Sequence, residues 1–326
     1  MPDLKNILVI QTAFIGDAIL ASSVLEKLHL FYPQARLSIL VRKGNESLYA
    51  EHPFLHEVLI WNKKEGKYKS LMQLLKVIRN RKFDVVINLH RFASSGFLTA
   101  FSGAPYTSGY NKNPFSFLFN NKSPHKIGDG RHEVERYNDL IASITDKTVA
   151  RPKLYPSFKQ FTKIEPYVQQ PFVCMAPSSV WFTKQLPKEK WIELCDAVPA
   201  HKTVYLLGGP GDKGLCEEIK AKSRHASIHI LAGELSLLES CELMKHASMN
   251  YVNDSGPLHL ASSVNAPVTA FFCSTVPAYG FFPLSTVSEV IEVKGLSCKP
   301  CGLHGYKACP KGHFKCGKDI VLPLPQ

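Results

Sequence analysis

Hydrophobic positions in the N-terminal part of the chain fall into short continuous runs separated by amphipathic stretches. Asn6-Ile7-Leu8-Val9-Ile10 is uninterrupted and rich in β-branched residues, the pattern of a strand buried on both faces of a parallel sheet. A turn, Thr12-Ala13-Phe14-Ile15-Gly16-Asp17, follows it, and Ala18 to Phe31 then places apolar residues at helical spacing. The same reading predicts strands over Arg36 to Val41, Val58 to Trp61 and Phe83 to Leu89, with a helix over Ser70 to Arg81. After Pro171 the alternation restarts. Strands are expected over 172–176, 203–207, 228–231, 249–252 and 268–272, and helices over 187–198, from Asp212 to about Ser223, over 236–246 and from Pro257. Such alternation implies doubly wound α/β units.

With 326 residues, about twice the ~150 that one core organises, two domains are expected. Residues 1–155 and 172–326 form them, and the proline-bearing stretch 156–171 reads as the linker. Two such domains are expected to face a central cleft at the carboxyl ends of their strands. The composition, 45% hydrophobic and 20% charged, excludes a disordered chain. Lys+Arg 39 against Asp+Glu 27 gives a net charge of +12, spread over both halves, which favours nucleic acid, anionic lipid or phosphorylated substrates. The apolar run Ile7 to Ile10 is too short for a signal peptide, so a cytoplasmic location is expected. Val264 to Leu284, the most apolar stretch, is broken by Pro267, Pro277 and Pro283 and cannot form a spanning helix.

Four strand-end loops carry candidate chemistry. Asp17, after Gly16, reads either as an N-cap or as a general base at the strand end. Asn253-Asp254-Ser255-Gly256-Pro257-Leu258-His259 follows a strand and opens a helix, whose first amides suit phosphate, while Asp254 suits sugar hydroxyls; His259 lies one turn from Ser255. Ser178-Ser179 with Thr183-Lys184 offers hydroxyls and an ammonium that could hold a diphosphate without a metal, or a merely solvated lysine. Gly208-Gly209-Pro210-Gly211-Asp212 places a carboxylate where a ribose hydroxyl could be held. No GxGxxG is present, which counts against a dinucleotide fingerprint.

In this order, the Phe14-Ile15-Gly16-Asp17-Ala18 turn, Thr183-Lys184 with Pro187 and Trp191, the Gly208–Asp212 loop, Leu231-Ala232-Gly233 to Ser236-Leu237 and Asp254-Ser255-Gly256-Pro257-Leu258-His259-Leu260-Ala261 resemble glycosyltransferase family 9. The chain is similar in style to its lipopolysaccharide heptosyltransferases, the heptosyltransferase II branch in particular, from Ile7 to Cys316. His132-Glu133-Val134-Glu135-Arg136-Tyr137 and the cysteine-rich tail fit that branch. The resemblance implies a GT-B architecture of an acceptor domain followed by a nucleotide-sugar domain, and an inverting transfer of heptose from ADP-heptose to a lipid-anchored, anionic inner-core oligosaccharide with no required cofactor. It makes Asp17 the base. Ser178, Ser179, Thr183, Lys184, Ser255, Gly256 and His259 fall to the donor, Asp254 to its sugar, Asp212 to the ribose and Leu235 to the nucleobase. Arg91, His132 and Arg136 are the candidates for acceptor anions, with bracing of the domain as the alternative for the last two. Gln185-Leu186, where an aromatic commonly precedes the proline, and Ser178-Ser179, where threonines are frequent, depart from the family pattern.

Of nine cysteines, Cys174, Cys195, Cys216, Cys241 and Cys273 read as small buried hydrophobes. Cys298, Cys301, Cys309 and Cys316 could be thiolate ligands of zinc or plain thiols, but only Cys298-x2-Cys301 has knuckle spacing. Lys294, Lys299, Lys307, Lys311, Lys315 and Lys318, with no acidic residue from 294 to 318, make this tail a basic surface suited to an anionic membrane leaflet, so peripheral attachment is expected. Two other readings stay open: a GT-B transferase or epimerase using another nucleotide sugar, and a nucleic-acid-binding protein with a zinc-ribbon tail. The second lacks a basic-aromatic RNA signature, so nucleic acid is not expected as a partner.

Overall fold

The computed structural model describes residues 4–63 and 66–325 and divides into two units, Met1–Ile127 with Arg131–Tyr155 and Gly128–Gly130 with Pro156–Gln326. In the first unit β1 (Asn6–Gln11) leads into α1 (Ile15–Phe31). β2 (Arg36–Arg42), β3 (Leu55–Trp61), α2 (Lys67–Arg81), β4 (Val85–Asn88), α3 (Ala93–Ala100), β5 (Tyr106–Tyr110), β6 (Asn121–Ser123) and α4 (Glu133–Asp139) follow. The sheet order is β3-β2-β1-β4-β5-β6, with every pair parallel. The apolar run that predicted β1 is the centre of this sheet, with Ile7 to Ile10 fully buried, as expected for a strand covered on both faces.

The second unit holds α5 (Phe158–Ile164), β7 (Phe172–Ala176), α6 (Lys188–Ala197), β8 (Thr203–Leu206), α7 (Lys213–Lys222), β9 (Ile228–Ile230), α8 (Leu237–His246), β10 (Met249–Asn253), α9 (Gly256–Ser263), β11 (Val268–Phe272), β12 (Ser288–Glu292) and α10 (Lys315–Lys318). Its parallel sheet runs β12-β11-β10-β7-β8-β9. Counted from its own first strand, each sheet has the order 3-2-1-4-5-6 of the Rossmann fold. Two Rossmann-like units in tandem are the GT-B class expected from the sequence. The second core gathers Trp191, edge-on to Phe271 at 5.5 Å, with Leu194, Cys195, Leu206, Cys216 and Ile219. Cys174, Cys195, Cys216, Cys241 and Cys273 are all buried, and burial pushes the Cys195, Cys216 and Cys241 thiols up to about 12, which keeps them protonated and inert.

Several expectations are corrected. The stretch expected to be a linker holds α5, opened by a capping box between Ser157 and Gln160 and set against α8 through the rings of Phe161 and His246 at 5.6 Å. Helix α1 begins at Ile15 rather than Ala18, with Phe14 as an N-cap that contributes no side-chain bond. Asp17 is therefore the third residue of the helix and not its cap. Helices α3 and α10 and strands β5, β6 and β12 have no counterpart in the hydrophobic pattern. Among the described residues no helix is long and apolar enough to cross a membrane.

Candidate active site

In a parallel sheet of this order the switch point lies where chain direction across the sheet reverses, beside the first and fourth strands at their carboxyl ends. In the first unit these are β1 and β4. Thr12 and His90 follow them and meet through Thr12 Oγ1 and His90 Nδ1 at 3.1 Å. Lys63 Nζ donates to the Thr12 carbonyl at 3.1 Å, and Asn45 Nδ2 to the Ala13 carbonyl at 3.2 Å. Burial, then the charges of Lys63 and Arg91, pulls His90 down to about 4, so it is neutral at physiological pH. Arg91 lies over the Phe92 ring at 5.5 Å, leaving a half-buried cation at this edge. Asp17, in the first turn of α1, is half-buried beside them in sequence and topology. Burial foremost, and then the nearby Asp17 carboxylate, holds the Tyr137 hydroxyl well above its ordinary range, and Gln11 Nε2 donates to that hydroxyl at 2.8 Å.

His132 and Arg136 serve α4. His132 is its N-cap, with Nδ1 accepting from Val134 N at 3.2 Å and Glu135 reaching back to His132 N at 2.7 Å. Arg136 is 1% exposed, and its Nη1 donates to Glu133 Oε2 at 2.9 Å while His125 meets the other carboxylate oxygen at 3.0 Å. Burial would raise Glu133, but His125 and Arg136 outweigh it and hold the carboxyl below its ordinary value. These bonds brace the first unit, and so little Arg136 surface is exposed that its expected role as an acceptor ligand gives way to that bracing role.

In the second unit the switch-point strands are β7 and β10. Lys184, on the loop after β7, and Asp254, after β10, form an ion pair at 2.7 Å, and Thr275 Oγ1 donates to the same Asp254 oxygen at 2.6 Å. Asp254 is nearly buried, and such a carboxylate needs these partners. Asn253, unassigned from the sequence, staples the loop. Its Nδ2 donates to the carbonyls of Ala176, Pro177 and Ser178 at 3.4, 2.9 and 3.3 Å, and its Oδ1 accepts from Leu186 N at 2.8 Å. Ser178 and Ser179 are half-buried on that stapled loop. Ser255 caps α9 with extended backbone, Gly256 is its first residue, and His259 is buried one turn on with its ring edge-on to Phe281.

Thr183 has a different task from the one expected. It is buried, its hydroxyl accepts from Tyr306 N at 2.8 Å, and its amide donates to the Tyr306 carbonyl at 3.1 Å. The turn before it needs glycine: Gly305 has φ +81°, and a Cβ there would lie 2.9 Å from Thr183 Oγ1 and 3.1 Å from Lys184 Cγ. Asp212 closes its own loop, Oδ2 accepting from Gly209 N at 2.7 Å, and Gly233 N donates to the Gly208 carbonyl at 2.9 Å, tying the loops after β8 and β9 together. Leu235 is half-buried on the second of these loops. The donor candidates other than Thr183 and the buried His259 thus lie on the loops and the α9 start that follow the strands of one sheet.

The four tail cysteines lie within electrostatic reach of one another: burial first, and then Cys298 and Cys309, raise the Cys301 thiol, and burial with Cys301, Cys309 and Cys298 pushes Cys316 up to about 11. All are free thiols; Cys316 is buried in the second core with Cys309 packed against that core, whereas Cys298 approaches His313 at 3.9 Å and Cys301 donates to the Cys298 carbonyl. Among the described residues no group of three or more His, Cys, Asp or Glu side chains is placed to hold a metal ion. Lys299 also leaves the basic surface: it is buried against Glu292 and the Phe272 carbonyl, both at 2.8 Å.

The profile of glycosyltransferase family 9 (heptosyltransferase) matches residues 71–308. The lipooligosaccharide heptosyltransferase 2 of Haemophilus influenzae is 24% identical over 310 residues, 88% of each chain. Among solved structures, a family 9 glycosyltransferase from Veillonella parvula superposes with a TM-score of 0.79 at 20% identity, over 88% of this chain and 86% of that one. The ADP-heptose lipopolysaccharide heptosyltransferase II of Escherichia coli gives 0.77 at 22% identity, over 96% and 98%.

Proposed function

The chain belongs to glycosyltransferase family 9, and from that membership we propose that it moves a heptose from ADP-heptose to a lipid-anchored inner-core oligosaccharide with inversion at the anomeric carbon. The observation that carries the reading is the Lys184–Asp254 pair at the switch point of the second unit, with the α9 N-terminus directly after it. The pair supplies a cation for a diphosphate and a carboxylate for sugar hydroxyls, and the first amides of α9 are a ready anion site. The relatives named above act, by their names, on lipooligosaccharide or with ADP-heptose, and they support the choice of donor and acceptor.

The chemistry divides between the units. Asp17 accepts the proton of the attacking acceptor hydroxyl as its oxygen bonds to the anomeric carbon. On the opposite face the bond to the ADP β-phosphate oxygen breaks, and Lys184, with the α9 amides next to Ser255 and Gly256, offsets the charge that builds there. Asp254 keeps the Thr275 hydroxyl when Lys184 turns to phosphate. Arg91, with Lys63 close by at the first unit's edge, attracts the acceptor's anionic groups. No bound metal is needed for these steps.

The test is ADP release from a panel of ADP- and UDP-sugars with a core-oligosaccharide acceptor. ADP-heptose should be turned over and the UDP-sugars should not. Asp17→Asn should abolish transfer yet retain ADP affinity, and Lys184→Ala should weaken ADP binding. Turnover by Asp17→Asn at the parent rate removes Asp17 from the mechanism.

A further inference from the structure

Around the loop after β4 and the helix that follows it, aromatic side chains collect on the surface rather than in the core. Phe92 is 57% exposed, Phe101 43%, Phe117 72% and Leu118 46%. The rings of Phe97, Phe101 and Phe115 contact one another at 5.0–6.0 Å, joining α3 to the loop that bears Phe117 and Leu118. Asn113 Nδ2 fixes the other end by donating to the His90 and Phe92 carbonyls at 3.3 and 3.0 Å. The fit leaves no slack, because a Cβ on Gly96 would fall 1.8 Å from Asn113 Oδ1. The patch is thus held by a packed framework. From Val85 to Gly128 the chain has no Asp or Glu and carries Arg91, Lys112, Lys122 and Lys126. Lys112 is exposed, and Arg91 lies over Phe92.

We propose that this face of the first unit docks on an anionic lipid bilayer, with Phe92, Phe117 and Leu118 at the acyl boundary and Arg91 and Lys112 against lipid phosphates. Soluble monomers seldom leave so many adjacent rings in water, and rings flanked by Lys and Arg without carboxylates fit the interfacial layer of a negatively charged leaflet. A second copy of the chain is the poorer occupant, since it would set these cations against their own kind with no acidic residue of the segment to offset them. The patch starts at Arg91, so a lipid-borne acceptor would arrive beside the edge assigned to it. The inference deepens the reading of a lipid-anchored acceptor, but it rests on a different part of the chain from the lysine-rich tail.

Flotation of the full chain with vesicles, no acceptor being present, tests it. Binding is expected to phosphatidylglycerol vesicles, weakened by salt, and not to vesicles of phosphatidylcholine alone. Phe117→Ser with Leu118→Ser should lower the partition roughly ten- to a hundredfold, and Lys112→Glu severalfold, with thermal unfolding and ADP affinity unchanged. Lys307→Glu with Lys311→Glu in the tail should leave it within about twofold, less than the loss of even one lipid-facing cation. Equal partition of the Phe117/Leu118 variant, loss only in the tail variant, or no preference for phosphatidylglycerol overturns the proposal. So does a dimer, seen by light scattering, that the Phe117/Leu118 variant dissolves without vesicle binding. Failure of the transferase reading shows separately, in ADP release with a water-soluble acceptor.

Discussion

Asn253→Ala removes the side chain that fastens the loop after β7, proposed to hold the donor, and the cost can be worked from its bonds. Asn253 is fully buried, and the amide of Leu186, itself buried, donates to its Oδ1 at 2.8 Å. Leaving such a donor without its acceptor costs about 1–3 kcal/mol. The Pro177 carbonyl, at 2.9 Å the best placed of the three that Nδ2 serves, loses a bond with a net value of about 0.5–1.5 kcal/mol. The expected loss is about 2–4 kcal/mol, which in a domain of this size lowers the Tm by roughly 5–15 °C. Urea unfolding followed through Trp191, fully buried in the same unit, reads the change as a lower midpoint. Calorimetric ADP titration should show weaker binding as well, because Ser178, Ser179 and Lys184 ride on the stapled loop. Asn253→Asp keeps an acceptor for Leu186 but turns an anionic oxygen toward three carbonyls, so it should be at least as unstable. Stability within about 0.5 kcal/mol of the parent for Asn253→Ala, together with an unchanged ADP Kd, would refute the assignment of Asn253 as the staple.

Gly305→Ala should cost about 1–2 kcal/mol for placing a Cβ at φ +81°, and should also raise the ADP Kd because that Cβ meets Lys184 and Thr183; a destabilised protein with normal ADP affinity would separate the tail turn from the donor loop. His52 lies edge-on to Phe54 and Tyr155, at 4.5 and 4.8 Å, and among the described residues neither of its ring nitrogens finds a hydrogen-bond partner. Burial first, then His29, pulls it down to about 4 from 6.5, so the unfolded chain binds the extra proton between those pH values and stability falls as pH drops through that window. Discounted for its partial exposure, the loss is about 1–2 kcal/mol. His52→Phe should remove it, giving a Tm advantage over the parent at pH 5 that shrinks toward pH 7; parallel Tm–pH curves would count against the buried neutral ring.

Most of the doubly wound pattern was legible because its central strands are unbroken apolar runs. The missed strands are those without such runs. Tyr106-Thr107-Ser108-Gly109-Tyr110 forms β5 although three of its five side chains are small or polar, because Ser108 Oγ finds the Leu140 carbonyl and Gly109 leaves room for Phe119, whose ring lies 2.6 Å from where a Cβ would stand. The Leu140 carbonyl is 32 residues on from Ser108, out of reach of a local pattern. Helix α1 started earlier than expected because Phe14 supplies no capping signal. At the site, the loops and the acidic and basic residues on them could be read from motif order, but the bonds that set their roles could not. Thr183 reaches Tyr306 across 123 residues, and Lys184 reaches Asp254 across seventy. Asn253 stood in a motif of obvious interest, and a buried amide at the end of a central strand is a signal that its hydrogen bonds are spent on neighbouring loops.

The bond between Thr183 and Tyr306 also orders events at the ribosome. At roughly 5–20 residues per second, the 123 residues that separate them take roughly 6–25 s to make. For that interval the nascent second unit has its first strand and the loop after it but not the Tyr306 backbone that Thr183 bonds through its hydroxyl and its amide. The first unit, whose sheet and braced α4 are complete by Tyr155, can form its acceptor edge and its exposed aromatic face well before then. If the aromatic face docks on lipid as proposed, it is folded before the loop proposed to hold the nucleotide sugar is fastened, so attachment would precede competence.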